Sequence, residues 1–446
     1  MSTASTQIPV SIGPPDEIAP AWRALPARTW ATLNSSRSAW VLCDQFVVSL
    51  GNFLTVNLLA RFLSIEHYGA FVLLLETIFF LNGLQAALVI FPMTVRGAAG
   101  ESGMVGRLAS AGTVFTMILA PVLFVGMIIA GAQVGSVAFG LWGCLAVVLW
   151  QMQETTRRAL MADLRFRDVV VGDAISYIGQ AALVALLIAT HTLSVPTALL
   201  SMAITRGLAA FVQSLQVGIR RVCRVELLAT AKDFWSLGGW SLLSALAVFV
   251  SANAYTWTLQ FAWGLSVVAV WGAIVSMMKL VNPLMSSIGS LIVPAAARAR
   301  TRSGPHEAWR ITWRYSMAGF IALIPVFAIL ALAPHFCLRV LYGSNSPYLS
   351  ADTELRVFTL NYILLYWNTI FQAVLGALEK VRGLLAAQLI NAGATLLVGL
   401  PLTVKFGVIG LIIGGLFATV AMTVVHLYLL YATLYRTDTA APRREL

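Results

Sequence analysis

Apolar stretches of about 20 residues follow one another along most of the chain, and short polar segments separate them. A helix needs about 20 apolar residues to cross the hydrocarbon core of a bilayer. Of the 446 residues, 59% are hydrophobic and only 11% are charged, and the mean hydropathy is +0.84. A soluble domain cannot bury so much apolar surface. The sequence therefore predicts an all-α polytopic membrane protein.

We predict about 12 transmembrane helices from these stretches. Their predicted ranges are 39–62, 70–92, 109–131, 137–155, 169–190, 196–219, 235–261, 267–292, 315–334, 355–378, 384–402 and 408–433.

The positions of the basic residues test this count. If the N-terminus is cytoplasmic and the spans alternate, 23 of the 29 Lys and Arg residues fall on the cytoplasmic side, including Arg157. Four fall outside, and Arg206 and Lys279 fall within spans. This asymmetry follows the positive-inside rule, which also explains the net charge of +11 without a nucleic-acid partner. We therefore expect both termini in the cytoplasm.

Landmarks recur at half the length of the chain. Four pairs are offset by 200, 201, 203 and 202 residues, with six predicted spans between the members of each pair. They are Trp40 and Trp240, Asn52 and Asn253, the segments 68–71 and 271–274, and the segments 91–96 and 293–298. An even number of spans keeps both copies in one orientation, so this indicates a parallel repeat of two six-helix lobes.

The repeat predicts a simple division of the chain. Residues 1–38 form a disordered cytoplasmic tail, and 39–221 form an N-lobe of six spans. A cytoplasmic linker, 222–234, leads to a C-lobe of six spans at 235–435, and 436–446 form a second tail.

Signatures of soluble enzymes and of nucleotide or metal sites do not occur in the sequence. It has no phosphate-binding Gly-x-x-x-x-Gly-Lys-Ser/Thr motif, no His-Glu-x-x-His motif and no paired cysteines. The four cysteines are far apart and imply no disulfide framework. We therefore expect no catalytic residues, no metal and no cofactor, and interpret the chain as a transporter.

Charged residues within spans are the strongest indication of a site, because each costs at least ~2.5–3.5 kcal/mol at mid-bilayer. Arg206 lies near the middle of the sixth predicted span, with Gln213 on the same face. Lys279 lies near the middle of the eighth, with Ser276 and Asn282 at helical spacing. The two cations either bind an anion such as a diphosphate in a cavity or pair with carboxylates and fix helix packing.

Carboxylates are also predicted in the spans. Glu76 lies in the second span, where it either carries a proton for ion coupling or pairs with Arg61 just outside. Asp44, a second candidate for coupling, and Asp173 lie near the cytoplasmic ends of their spans. At those ends we expect the two aspartates to be solvated or to cap helices.

Polar side chains form stripes on other spans. Asn52 lies on such a stripe in the first span, and Asn361 and Asn368 lie on one in the tenth. These stripes suit either a hydrated path for a sugar or hydrogen bonding between helices.

Several of these segments together resemble Wzx-type polysaccharide flippases of the multidrug/oligosaccharidyl-lipid/polysaccharide exporter superfamily. The resemblance is strongest over residues 40–100. The matching segments are Asp44-Gln45 to Ser49, Asn52-Phe53-Leu54, Leu58 to Arg61, Tyr68-Gly69, Phe71, Leu84-Gln85 to Phe91-Pro92, Arg157 to Leu160, Arg165 to Arg167, Leu338 to Gly343, and Tyr348.

The resemblance implies two six-helix lobes that rock between inward-open and outward-open states. It also implies export of an oligosaccharide on undecaprenyl diphosphate, with Arg206 and Lys279 as the cavity cations. Such a flippase serves exopolysaccharide, capsule or O-antigen synthesis. Its expected partners are the polyprenyl-diphosphate-linked glycan, membrane lipids and, as candidates, a polysaccharide polymerase and co-polymerase.

Three other functions are weighed against this one. A multidrug antiporter of the same superfamily would prefer an acidic cavity, whereas the two mid-membrane cations are basic. A membrane-embedded glycosyltransferase or polymerase would need larger outer loops and an acidic pair near a span end. A lipid II flippase typically has fourteen spans.

Overall fold

A computed structural model describes residues 37–99, 104–279 and 281–435, and the described ranges contain helices and no β-strand. The predicted tails lie outside these ranges, apart from Arg37 and Ser38. The all-α prediction is therefore confirmed for the part of the chain that the structure describes.

The first half of the chain, residues 37–217, forms eight helical segments, two of which continue into the next through a short π-helical turn. They are α1 (Arg37–Phe62), α2 (Ile65–Gln85), a π-turn (Ala86–Ile90), α3 (Phe91–Ala99), α4 (Met104–Gln133), α5 (Val137–Ala162), α6 (Phe166–Asp173), a π-turn (Ala174–Ile178), α7 (Gly179–Ala189) and α8 (Val195–Val217).

The second half, residues 224–435, is more often interrupted. Its elements are α9 (Arg224–Ala252), α10 (Ala254–Trp263), α11 (Leu265–Met278), α12 (Asn282–Ser303), α13 (Pro305–Leu332), α14 (Pro334–Tyr342), a 3₁₀ turn (Pro347–Ser350), α15 (Asp352–Ala377), α16 (Val381–Ala394), a π-turn (Thr395–Gly399) and α17 (Leu400–Tyr435).

Nine helices of the described residues are long and apolar enough to cross a membrane. One of them, Arg382–Tyr435, contains the last two predicted spans, which a bend at Gly407 separates. The chain is thus a multi-pass membrane protein. The count of twelve and the lobe boundaries at 221 and 235 stay predictions.

Two predicted spans of the second half are broken, contrary to expectation. The seventh is interrupted at Asn253, and the eighth ends at Met278 and resumes at Asn282. Pro283 stands in the first turn of α12, where its missing N–H costs no helical hydrogen bond. A proline also disfavours the helical conformation of the residue before it, which explains a break at this point.

The ends of the bundle differ in charge. One end, which we call the basic face, contains the connections 163–165, 218–223 and 378–380, around Arg165, Arg220 and Lys380. The other end, which we call the opposite face, contains the connections at 63–64, 134–136 and 264 and the segment 333–351. That the basic face is cytoplasmic stays a prediction.

The two halves touch at the opposite face through α2 and α11. A Cβ atom at Gly69 would overlap the carbonyl oxygen of Leu265, and one at Gly272 would press against the side chain of Val72. Both glycines belong to one predicted repeat pair. Only the absence of a side chain at Gly69 allows so close an approach of the two backbones.

Candidate functional site

Lys279 lies at the break between α11 and α12, where the first half meets the second. Its backbone N–H closes the end of α11 by donating to Val275 O and Ser276 O, both at 3.3 Å. Within the described residues its ammonium group forms no hydrogen bond; it lies over the ring of Phe79, with Nζ 5.9 Å from the ring centroid. The beginning of α12 adds the partial positive charge of a helix N-terminus to this region.

Glu76, on α2, is the carboxylate that acts electrostatically on Lys279. The two groups belong to different halves, and they form neither a hydrogen bond nor a direct ion pair within the described ranges. Arg61, the alternative partner considered from the sequence, is exposed and lies over Phe62 instead. The structure thus brings Glu76 to the candidate cation of the second half.

Aromatic rings connect Lys279 to the other predicted cation. The ring of Phe79 meets Trp150 edge to face, with centroids 5.6 Å apart. The guanidinium carbon of Arg206 lies 4.0 Å from the centroid of Trp150. Lys279 and Arg206 therefore lie at the two ends of a bridge of two aromatic rings, and neither contacts the other directly.

Arg206 itself is enclosed in the first half. It is fully buried, between the rings of Trp150 and Tyr177 at 4.0 and 4.1 Å. Its Nη1 donates to Gln153 Oε1 at 2.9 Å, whereas its Nε has no hydrogen-bond partner in the part of the chain that the structure describes. Stacking between two rings is a favourable setting for guanidinium, which is more weakly hydrated than ammonium.

A buried ion network lies beside Arg206. Arg157 Nε donates to Asp173 Oδ2 at 2.5 Å, and Arg157 Nη2 donates to Asp44 Oδ2 at 3.0 Å. The exposed fractions are 6% for Arg157, 1% for Asp44 and 0% for Asp173. Gln153 Nε2 donates to Asp173 Oδ1 at 3.0 Å and so joins this network to Arg206.

This network corrects two expectations. Arg157 does not lie in a cytoplasmic loop, because α5 continues to Ala162 and carries it into the interior. Asp44 and Asp173 are neither solvated nor free to cap a helix, because Arg157 binds both. Sequence spacing alone did not show that α1, α5 and α6 place these charges together.

Gln213 belongs to the same interior. Its Oε1 accepts from Thr156 Oγ1 at 3.3 Å and from Gln153 Nε2 at 3.5 Å, and its Nε2 donates to Val169 O at 3.4 Å. The predicted face of Arg206 and Gln213 therefore points into the first half and holds α5, α6 and α8 together.

The predicted stripe around Lys279 divides at the helix break. Ser276 Oγ donates to Asn57 Oδ1 at 3.2 Å and lies 2.6 Å from Tyr342 Oη, at the contact between the halves. Asn282 is exposed, and its Oδ1 accepts from Tyr362 Oη at 2.6 Å. Sequence reasoning missed Asn57, which lies five residues beyond the predicted Asn52.

The remaining predicted polar residues lie apart from Lys279. Asn52 is half-buried on α1, and Asn361 is buried, with its Oδ1 unpartnered. Asn368 Nδ2 donates to Thr423 Oγ1 at 2.7 Å, and its Oδ1 lies 2.8 Å from His426 Nδ1. The contacts of Asn368 join α15 to α17 within the second half.

Neither metal nor disulfide chemistry is built into the described ranges. No group of three or more His, Cys, Asp or Glu side chains in them has the geometry to hold a metal ion. The four cysteines are free thiols.

Solved structures share this fold, although no protein-family model and no curated protein matches the sequence. The lipid II flippase MurJ, in an inward closed conformation, has a TM-score of 0.68 at 12% identity, over 87% of this chain and 86% of that one. The eukaryotic MATE transporter AtDTX14 has a TM-score of 0.64 at 15% identity, over 92% and 97%.

A third similar structure is the inward-facing conformation of a multidrug resistance MATE family transporter of the MOP superfamily. Its TM-score is 0.62 at 15% identity, over 91% of this chain and 96% of that one. At these identities the similarity establishes the fold, which is that of the MOP superfamily transporters.

Proposed function

We propose that the chain is a flippase that moves a polyprenyl-diphosphate-linked oligosaccharide from the cytoplasmic to the periplasmic leaflet by alternating access. The lipid-linked glycan would supply exopolysaccharide, capsule or O-antigen synthesis in a bacterial inner membrane. A polysaccharide polymerase and co-polymerase would be the partners that use it.

The observation that carries this proposal is the unpaired ammonium of Lys279 between the halves. A cation at mid-bilayer is costly, and such residues mark ion or substrate paths. Lys279 has no hydrogen bond within the described residues, and it lies at a helix break, where a half-helix N-terminus also favours an anion. A diphosphate would satisfy both groups.

Arg206 has an indirect role in the proposed mechanism. Because it is enclosed by Trp150 and Tyr177, it acts on the substrate only through the aromatic bridge or after Trp150 moves. Glu76 faces Lys279, so arrival of a diphosphate would release this carboxylate from its cation. We propose that Glu76 then exchanges a proton, which would couple transport to an ion gradient.

The fold and the charge distribution support the proposal. MurJ, with its shared fold, is a lipid II flippase, which favours a lipid-linked substrate. The basic residues at the basic face favour its placement in the cytoplasm. The contact at Gly69 and Gly272 would have to open to release the substrate at the opposite face.

The test uses cells that lack this chain and measures on which membrane face the lipid-linked oligosaccharide accumulates. We expect accumulation on the cytoplasmic face, restored to normal by the native chain and not by Lys279→Ala. Lys405→Ala is the matched control, because Lys405 lies beside Phe406, away from the break, and should restore export.

Two results would contradict the proposal. One is an unchanged distribution of the lipid-linked glycan in cells without the chain. The other is full restoration by Lys279→Ala at normal protein levels. Export that does not change with external pH would remove only the proton-coupling role of Glu76.

An ion-coupled multidrug antiporter is the second candidate, favoured by the similarity to MATE transporters and by the buried Asp44 and Asp173. Altered drug sensitivity with normal lipid-linked glycan in the deletion strain would support it. The third function weighed, a membrane-embedded glycosyltransferase or polymerase, is disfavoured because the acidic pair near the span ends, Asp44 and Asp173, is bound to Arg157.

A further inference from the structure

Two cavities lie side by side along the seam between α2 and α9. The first, which we call the inner cavity, has a volume of about 370 Å³ and is lined by residues that include Phe79, Leu84 and Asn253. The second, which we call the outer cavity, has a volume of about 410 Å³ and is lined by residues that include Trp257 and Phe261.

Phe80 and Phe249 form the wall between these cavities. They are the two residues that line both, and their rings lie close together, with centroids 3.9 Å apart. Along α2, Phe79 and Gly83 line only the inner cavity, and Thr77 and Leu81 line only the outer one. The cavities therefore lie on different sides of α2, with the ring of Phe80 between them.

The two cavities differ in what surrounds them. Lys279 lies over Phe79 at the edge of the inner cavity, so this cavity adjoins the proposed diphosphate site. The outer cavity is bounded by the exposed apolar side chains Ile129 and Phe261, which are 54% and 67% exposed. The inner cavity is also lined by an exposed apolar side chain, Phe91, which is 45% exposed. In a membrane-spanning protein, such side chains face lipid, so both cavities open to the bilayer, and the cation at its edge is what distinguishes the inner one.

We propose that the seam between α2 and α9 is the binding site for the hydrocarbon chain of the substrate, with the Phe80–Phe249 pair as its portal. The diphosphate binds at Lys279, the first isoprene units occupy the inner cavity, and the rest of the chain passes the portal into the outer cavity. This inference rests on the proposed function, since it assigns the tail of the same substrate.

The apolar lining of the inner cavity favours a linear hydrocarbon as its occupant. Among the described residues that line the inner cavity, Ser241 and Asn253 are polar, whereas the other ten, four of them phenylalanines, are apolar. A cation at the end of such an apolar channel fits an amphiphile with an anionic head and an aliphatic tail. A bulk phospholipid that only fills apolar space would not depend on Lys279.

Photocrosslinking of the full chain tests the proposal in vesicles of phosphatidylcholine and phosphatidylglycerol that contain undecaprenyl diphosphate. Benzoylphenylalanine replaces Phe261 in the outer cavity or, as a control of matched exposure, Phe46 on α1, which are 67% and 64% exposed. We expect several-fold more crosslinked polyprenyl lipid at 261 than at 46. Lys279→Ala should abolish this difference, and phosphatidylglycerol should react equally at both positions.

The outcomes separate this inference from the proposed function. If polyprenyl lipid is captured mainly at 46 and this capture depends on Lys279, the seam is not the binding site of the hydrocarbon chain. The flippase proposal would then still hold. Capture that ignores Lys279 at both positions would contradict both. Capture of phosphatidylglycerol alone at 261 would show that the outer cavity holds only bulk lipid.

A second variant tests the portal itself. Phe249→Ala removes one of the two rings that separate the cavities, so the portal becomes wider. Capture of polyprenyl lipid at 261 should therefore increase several-fold. Phe406→Ala, on α17 and outside both cavities, should leave capture unchanged. Capture at 261 that does not respond to Phe249→Ala, in a protein that elutes and unfolds normally, would overturn the role of the aromatic pair.

Discussion

The two halves of the chain handle buried charge in different ways. In the first half, Arg157 pairs with three carboxylates and Arg206 stacks between two rings, so each cation is held by its own half. In the second half, Lys279 faces Glu76 of the other half and forms no hydrogen bond within the described ranges.

This contrast indicates that the buried charges of the first half stabilise packing, whereas Lys279 is available to bind a ligand. The ion network around Arg157 fixes the mutual positions of α1, α5 and α6, and this guanidinium already has carboxylate partners there. An unsatisfied cation at a helix break contributes little to packing and keeps its donors available. The rank order of stability losses on substitution should therefore follow how well each charge is partnered rather than how deep it lies.

The largest effect is expected for Arg157→Met, which leaves Asp44 and Asp173 buried without a cation. Breaking such a pair costs about 3–5 kcal/mol. The midpoint of thermal unfolding in detergent measures the loss. The neighbouring Arg158→Met should cost at most about 1 kcal/mol, because the Arg158 side chain is 45% exposed and, among the residues that the structure describes, pairs only with Glu154.

A combined variant sharpens this prediction. Replacing Asp44 and Asp173 by Asn along with Arg157→Met removes all three charges and should recover much of the lost stability. Equal effects of Arg157→Met and Arg158→Met would show that the first-half network is not structural.

Substitution at the contact between the halves should cause the next largest loss of stability. Gly69→Ala forces a Cβ into the Leu265 carbonyl and should destabilise the closed opposite face by about 1–3 kcal/mol. Gly83→Ala on the same helix has no atom within 4 Å of the new Cβ and should be neutral or stabilising. Equal unfolding midpoints of the two variants would mean that the halves do not close through this contact.

A loss of similar size is expected when the neutral polar contacts of the second half are removed. Asn368→Leu removes the hydrogen bonds to Thr423 and His426 and should cost about 1–3 kcal/mol. Thr369→Val is the control, because within the described ranges that hydroxyl bonds only to Leu365 O of its own helix. The prediction fails if both variants unfold at the native temperature.

Lys279→Met should have the smallest effect on stability, within about 1 kcal/mol, because within the described residues the ammonium forms neither a hydrogen bond nor a direct ion pair with Glu76 that would be lost. Glycan export should nevertheless stop. If Lys279→Met destabilised the protein as much as Arg157→Met, Lys279 would be structural too. The proposed difference between the two halves would then be wrong.

Hydropathy and charge asymmetry were sufficient to predict the fold class, because membrane insertion depends on exactly those local properties. They placed α4 and α8 within a few residues of their observed ends. They could not predict the breaks at Asn253 and Lys279, because a helix break in a membrane depends on what neighbouring helices supply to the freed backbone groups.

The candidate site was predicted in part. Lys279 and Glu76 were both identified as costly mid-membrane charges, but their pairing needs contact information between segments 203 residues apart. The aromatic residues Phe79 and Trp150 were missed, since aromatic side chains are common in membrane helices and carry no distinguishing signal in one sequence. Arg157 was misplaced because a basic pair near a span end has the appearance of a loop.

The bend at Gly407 bears on how the chain is made. The segment Arg382–Tyr435 turns back on itself there, and Gly410 and Gly414 press directly against the backbones of Leu402 and Gly399. Its two arms thus find their tightest packing in each other. During synthesis this last segment can enter the bilayer as a preassembled hairpin, so completion of the bundle need not wait for earlier helices to rearrange.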